Sequence, residues 1–165
     1  MHSVLFICTA NICRSPMAAA LMRARLRNEQ PDWWDWRVDS AGTWALDGET
    51  AAKNSRQVMF ERGLDITNHR AKTVTEAMLK EYDLILTMEP GQKEALRIEY
   101  PSLARRVFLL DEMGGGTLAV DDPYGGPLVG YRKTAETIDQ MLARGMPRII
   151  ELAGRHDGRE RINKE

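Results

Sequence analysis

Residues 4–17 read VLFICTANICRSPM. The run SVLFICT, residues 3–9, is short and apolar with β-branched side chains, the pattern of a buried strand. Pro16 then fits the first position of a helix, where a missing N–H is no loss. Met17, Leu21 and Ala24 follow at helical spacing. Strand, short loop and helix N-terminus thus succeed one another directly, and the same alternation continues down the chain.

WRVDSAG, residues 36–42, is a second strand closed by Gly42, and residues 50–62 carry a helical pattern stopped by Gly63. Thr73 and Glu76 form a T-x-x-E capping signature ahead of AMLKEY. DLILTM, residues 83–88, is a third buried strand, and EPGQKEALRIEY, residues 89–100, a helix opening near Pro90. RVFLLDE, residues 106–112, is a fourth strand. MGGGTLAVDDPYGGPLVG, residues 113–130, is rich in Gly and Pro and too long for a mere connector. The last helix begins near Tyr131, and Pro147 should kink or divide it. Strands alternating with helices predict a doubly wound α/β domain with a four-stranded parallel sheet and helices on both faces. Residues 1–154 are expected to form one domain, with 155–165 a polar, frayed tail. Ligands of such sheets bind beyond the carboxyl ends of the strands, which is where the loop after the first strand lies.

Bulk properties narrow the function. The chain has 165 residues, a one-domain length, and a formal net charge of −1. That balance gives no electrostatic footprint for nucleic acid or an anionic membrane. No apolar run reaches the length of a membrane span, and SVLFICT is too short and too poorly flanked for a signal peptide. Two cysteines do not make a secreted disulfide scaffold, so a cytoplasmic protein is expected.

Cys8 and Cys13 pose the chemical question. A structural zinc site needs about four ligands grouped in close pairs, but His2, His69 and His156 are scattered. No metal and no other cofactor is expected. A redox pair would leave Arg14 and Ser15 unexplained. An anion cradle accounts for all four residues. A loop curling at a helix N-terminus aims the backbone N–H groups of Thr9, Ala10, Asn11, Ile12 and Cys13 at one point. Arg14 adds a planar fork for two anion oxygens. Cys8 would sit beneath the centre of the cradle, where those dipoles favour thiolate over thiol. The loop that binds a phosphate would then also make a nucleophile beneath its phosphorus. Ser15 either caps the helix or donates to the thiolate, two roles the sequence does not separate.

CTANICRSP resembles the signature loop of the low-molecular-weight protein tyrosine phosphatases. WRVDSAGT, NHRAKTVTE, YDLILTM and DDPYG follow in that family's order, so the resemblance spans residues 3–152. It implies a four-stranded parallel sheet and phosphotyrosine hydrolysis through a cysteinyl-phosphate. Cys8 matches the nucleophile, Arg14 the phosphate ligand and Asp122 the general acid. Asn11 matches a residue that props the loop, His69 its partner, and Ser15 the hydroxyl facing the thiolate. Cys13 matches the cysteine that traps an oxidised Cys8 as a disulfide. Trp44 and Tyr124 match positions on the cleft wall. Ala10 stands where the family usually has Gly, a departure that bears on loop geometry if the position needs positive φ.

Several features have plainer readings. Asp122 in a Gly-rich loop is by itself a turn residue, and Asp121 stands beside it. Trp33, Trp34 and Trp36 are expected to pack against the sheet edge, and Arg23, Arg25 and Arg27 to form a solvated helix face. Three rival functions share the loop. A protein-arginine phosphatase tends to carry Thr where this chain has Ile12. An arsenate reductase passes a disulfide along three cysteines, and this chain has two. A non-catalytic phosphate-binding module would be expected to lose Cys8, Arg14 or Asp122. The expected partner is a phosphotyrosine-containing protein, with a tyrosine kinase as a candidate, and the expected state is a monomer or weak dimer.

Overall fold

The computed structural model describes residues 1–154; the expected tail at 155–165 lies outside them. Four strands form an all-parallel sheet in the order β2-β1-β3-β4: β1 (His2–Cys8), β2 (Trp36–Gly42), β3 (Leu84–Thr87) and β4 (Val107–Leu109). The helices are α1 (Arg14–Glu29), α2 (Lys53–Glu61), α3 (Glu76–Lys80), α4 (Pro90–Glu99) and α5 (Leu128–Ala153). No helix among the described residues is long and apolar enough to cross a membrane.

β1 is apolar at every position from Val4 to Cys8 because both faces of the sheet are covered. Val4, Phe6 and Cys8 enter a large core with Met17, Met59, Ile138 and Ile149, from α1, α2 and α5. Leu5 and Ile7 enter a smaller core with Leu79, Tyr82, Leu96 and Leu103. The register aligns Cys8 with Gly42 on one side and Ile7 with Thr87 on the other. The chain leaves β1 for β2 on one side and later returns to β3 on the other. The end of β1 is therefore the point where strand order reverses, and Cys8 stands there.

Several element boundaries depart from expectation. α1 opens at Arg14, two residues before Pro16, so the proline is the third helical residue. Any N–H in the first turn lacks an intrahelical partner, so proline is tolerated there too. Thr75, not Thr73, caps α3, accepting from Met78 N at 3.1 Å. Thr73 instead donates to the Ala45 carbonyl at 3.0 Å, pinning the segment after β2. RVFLLDE is strand only at Val107–Leu109; a 3-10 turn over Leu110–Gly114 follows. Glu112 accepts from Leu109 N at 2.9 Å and folds the chain back there. α5 runs unbroken through Pro147, because Met146, Ile149 and Leu152 on either side are buried in one core. Trp36 stacks on His2 at 4.6 Å as a covering residue would, but Trp33 and Trp34 are exposed. Arg25 is not a solvated face residue; it pairs with Asp139 of α5 at 2.9 Å.

Candidate active site

The loop from Cys8 to Arg14 is held from several directions, and Asn11 is the hub. Its backbone is left-handed, at φ 58°. Asparagine tolerates that region better than other side chains. Ala10, where the family pattern raised the question of a required glycine, is not among the positive-φ residues. Asn11 is fully buried, and its polar groups are matched one by one. Its amide nitrogen donates to Ser15 Oγ at 2.8 Å and to Ser40 Oγ at 2.9 Å. Its Oδ1 accepts from Lys72 N at 3.0 Å. Its carbonyl accepts from His69 Nε2–H at 2.6 Å. Burial pushes the His69 imidazole below its ordinary range, against the opposing bond to Asn11.

Ser15 Oγ lies 3.0 Å from Cys8 Sγ. The Asn11 amide already donates into that oxygen, so the hydroxyl proton is directed at the sulfur. No side chain caps α1 at Cys13, which removes capping as the role of Ser15. Gly42 lets β2 approach the loop: a Cβ there would meet the Thr9 carbonyl at 2.4 Å. Trp44 N donates to that carbonyl at 3.0 Å, and Thr43 N to the Cys8 carbonyl at 3.0 Å. Gln92, in the first turn of α4, donates to Thr9 Oγ1 at 3.1 Å.

Arg14 is 2% exposed. Its Nη1 donates to the Val120 carbonyl at 2.9 Å and lies 3.2 Å from Glu89; its Nη2 lies 3.6 Å from Asp122 Oδ2. Its Nε has no partner among the described residues. A buried guanidinium with an uncommitted donor is suited to receive an oxyanion. Asp122 is half exposed, and its Oδ1 accepts from Tyr124 N at 3.1 Å, a tight local turn. Cys13 Sγ lies 3.7 Å from the Tyr131 hydroxyl, and burial pushes both the Cys13 thiol and the Tyr131 phenol upward.

Cys8, Thr9, Ala10, Ile12, Cys13, Arg14, Trp44, Asp122 and Tyr124 line one cleft of about 290 Å³. The side chains of Asn11 and Ser15 do not line it; they are buried behind the loop, where His69 makes its part-buried contact with the Asn11 carbonyl. Asp121 does not line it either. A larger cavity of about 400 Å³ lies behind Asn11, among Arg23, Asp39, His69 and Lys72. It contains no nucleophilic thiol, so the cleft above Cys8 is the candidate site. No group of three or more His, Cys, Asp or Glu is placed to hold a metal ion among the described residues. Sequence reasoning missed Leu46 and Glu49 on the wall and Glu89, Gln92 and Ser40 behind it. The P-G-Q sequence opening α4 marked Gln92 as an early helical residue, but nothing local announced its reach to Thr9. The Val120 carbonyl is a main-chain acceptor and leaves no trace in side-chain chemistry.

A buried sulfur beneath a loop, a guanidinium beside it and a carboxylate across from it can bind a tetrahedral anion and act on it. The family model described as low molecular weight phosphotyrosine protein phosphatase matches residues 3–152. A probable low molecular weight protein-tyrosine-phosphatase, EpsP of Ralstonia nicotianae, is 37% identical over 152 residues, covering 92% of this chain and 99% of that protein. A protein-arginine-phosphatase of Geobacillus stearothermophilus is 32% identical, covering 87% of this chain and 93% of that one. Among solved structures, a low molecular weight protein tyrosine phosphatase from T. tengcongensis superimposes with a TM-score of 0.84 at 38% identity, covering 90% of this chain and 99% of that chain.

Proposed function

The chain belongs to the family of low molecular weight phosphotyrosine protein phosphatases, and on that premise we propose that it hydrolyses phosphotyrosine in proteins through a covalent phosphate on Cys8. The observation that carries the reading is the convergence of Cys8, Arg14 and Asp122 on one cleft, with Asp122 Oδ2 3.6 Å from Arg14 Nη2. The loop N–H groups and Arg14 take the phosphate oxygens and offset their charge, more strongly as charge shifts in the transition state. Cys8 thiolate attacks phosphorus in line, forming the S–P bond as the P–O bond to the leaving group breaks. Ser15 donates to the sulfur and steadies it as thiolate. Asp122 gives its proton to the departing oxygen, worth roughly 10²–10⁴-fold in rate. The resulting carboxylate then takes a proton from water as that water attacks phosphorus and frees Cys8.

Ile12, Trp44 and Tyr124 give the cleft an apolar and aromatic wall, which suits an aryl leaving group. A phosphoserine side chain is too short to bring its phosphate to Cys8 before the peptide backbone meets this rim. The rival reading is hydrolysis of phosphoarginine, the activity named for the Geobacillus relative. Ile12, with no hydroxyl at the cleft, favours phosphotyrosine over that alternative. The same reading makes Cys13 the partner that captures oxidised Cys8, places the protein in the cytoplasm as a monomer or weak dimer, and leaves a tyrosine kinase as a candidate substrate.

The deciding experiment is turnover of phosphotyrosine, phosphoserine and phosphoarginine peptides side by side, in chelator. Phosphotyrosine should be hydrolysed fastest and without added metal. Comparable turnover of phosphoserine would overturn the deep-cleft reading, and faster turnover of phosphoarginine would install the rival.

A further inference from the structure

Gln92 enters the proposed reaction at no step, yet its side chain touches both the anion loop and the acid beside Arg14. It is the third residue of α4 and is 6% exposed. A buried amide is costly unless its oxygen and its two N–H groups find partners. Here they do. Oε1 accepts from Met88 N and from Glu89 N, both at 3.0 Å. Only the oxygen can take those two donors, so the orientation of the amide is fixed and its nitrogen faces the other way. That nitrogen donates to Thr9 Oγ1 at 3.1 Å and to Glu89 Oε2 at 3.0 Å.

The two halves of the amide serve different ends. The oxygen makes an ordinary helix cap, since a Gln or Glu at this position reaches back to the N–H ahead of the helix. The nitrogen is not needed for that cap. It reaches the loop at Thr9, and it reaches Glu89, whose other oxygen lies 3.2 Å from Arg14 Nη1. The Glu89 side chain is 40% exposed, so water competes for its carboxylate, and the Gln92 amide keeps it turned toward the buried guanidinium. A second route runs through Met88. Its N–H is bound by Gln92, its carbonyl accepts Val120 N at 2.8 Å, and the Val120 carbonyl accepts Arg14 Nη1 at 2.9 Å. Glu89 and the Val120 carbonyl, the acceptors around Arg14 Nη1, are thus both tied to Gln92, while Arg14 Nε is left without a protein partner among the described residues. We infer that Gln92 is a positioning residue for Arg14, its oxygen capping α4 while its nitrogen fixes Glu89 and Thr9 and so sets the plane in which the guanidinium meets the phosphate. The inference rests on Arg14 being the phosphate ligand.

The test is Gln92→Glu, which separates the two halves: a carboxylate accepts as the amide oxygen does but cannot donate. At neutral pH it should lower kcat/KM by about 10–100-fold. The loss should be equal for a phosphotyrosine peptide and an activated aryl phosphate, because both present the same phosphate to Arg14. The deficit relative to the parent should shrink as pH falls, since a protonated carboxyl can donate to Glu89 again, whereas a role in capping alone gives a constant ratio. Adding Glu89→Gln restores one donor and one acceptor in reversed order, so the double variant should be more active than Gln92→Glu alone. If the single variant does not fold, the double variant, which keeps the net charge of the parent, decides: kcat/KM within about 10-fold of the parent upholds the inference and a larger loss overturns it. Parent-like kcat/KM in a folded Gln92→Glu, a deficit that is the same at every pH, or a double variant worse than the single one would overturn the inference alone. Arg14→Lys with parent-like kcat/KM would overturn the phosphate-ligand assignment and this inference with it.

Discussion

At the scale of single residues, the proposed chemistry asks for the chemical type of Cys8 and Arg14 and not only for their shape. Serine at position 8 keeps the shape, but its hydroxyl is essentially un-ionised at neutral pH. Cys8→Ser should abolish turnover while phosphate still binds, as isothermal calorimetry would register. Arg14→Lys should also lose most activity, because a point charge cannot replace a planar fork already committed to Val120 and Glu89. Retained turnover in either variant would remove that residue from its assigned role. His69 makes a pH prediction. Burial holds its imidazole below the ordinary value of 6.5, so the folded protein takes up that proton less readily than the unfolded chain. Its contribution to stability is therefore complete above about pH 6.5 and declines as pH falls below that value. Urea midpoints of the parent should drop between neutral pH and the mildly acid range. His69→Gln should flatten that drop, and identical slopes would contradict the assignment.

At the scale of elements, the anion loop is shaped by its neighbours as much as by its own sequence. Gly42 ends β2, and a methyl group there would press on a backbone carbonyl, which cannot rotate away as a side chain can. Gly42→Ala should cost about 1–3 kcal/mol in urea unfolding. It should also lower kcat/KM equally for phosphotyrosine and for activated aryl phosphates, since it shifts the loop rather than the acid. A leaving-group-dependent loss would place the damage elsewhere. The same loop carries the redox prediction. Peroxide should take Cys8 thiolate to sulfenic acid, and the Cys13 thiolate should then attack that sulfur, expelling hydroxide, which takes a proton from solvent, to close a disulfide. Burial pushes the Cys13 thiol up from its ordinary value of 9.0, so closure should quicken as pH rises. Mass spectrometry after mild peroxide should find the link, reversible by dithiothreitol. If Cys13→Ser recovers from peroxide as fully as the parent, Cys13 protects nothing.

At the scale of the whole molecule, the sheet carries two cores of unequal size, and the larger one backs the site. Ile138, fully buried in α5, contributes to that core alongside Phe6 and Met17. Ile138→Ala should lower stability by about 2–5 kcal/mol, read as a fall in urea midpoint. The kcat of the folded fraction should be nearly unchanged, because Ile138 does not itself line the cleft. A large fall in kcat at full folding would mean that the core, rather than local bonds, sets the loop geometry.

Much of this arrangement was legible in the sequence, for physical reasons. The strand of residues 36–42 was readable to its ends because a short strand-like stretch closed by glycine is a local signal. Cys8, Arg14 and Ser15 were readable because an anion loop needs those chemical types at fixed spacing beside a helix start. Where two neighbours competed for one role, local pattern failed: Thr73 and Thr75 both offer a capping hydroxyl, and only contact with Ala45 diverts Thr73. Pro147 does not divide α5, since burial on both sides outweighs one lost helical bond. The choice of Ser15 as donor rather than cap, the left-handed strain at Asn11 rather than Ala10, and the reach of Gln92, Glu89 and Tyr131 into the site were decided by the tertiary structure alone. Gln92, Glu89 and Tyr131 meet partners tens of residues distant in the chain, and a sequence encodes the chemistry of a hydrogen-bonding group without encoding which distant group will meet it.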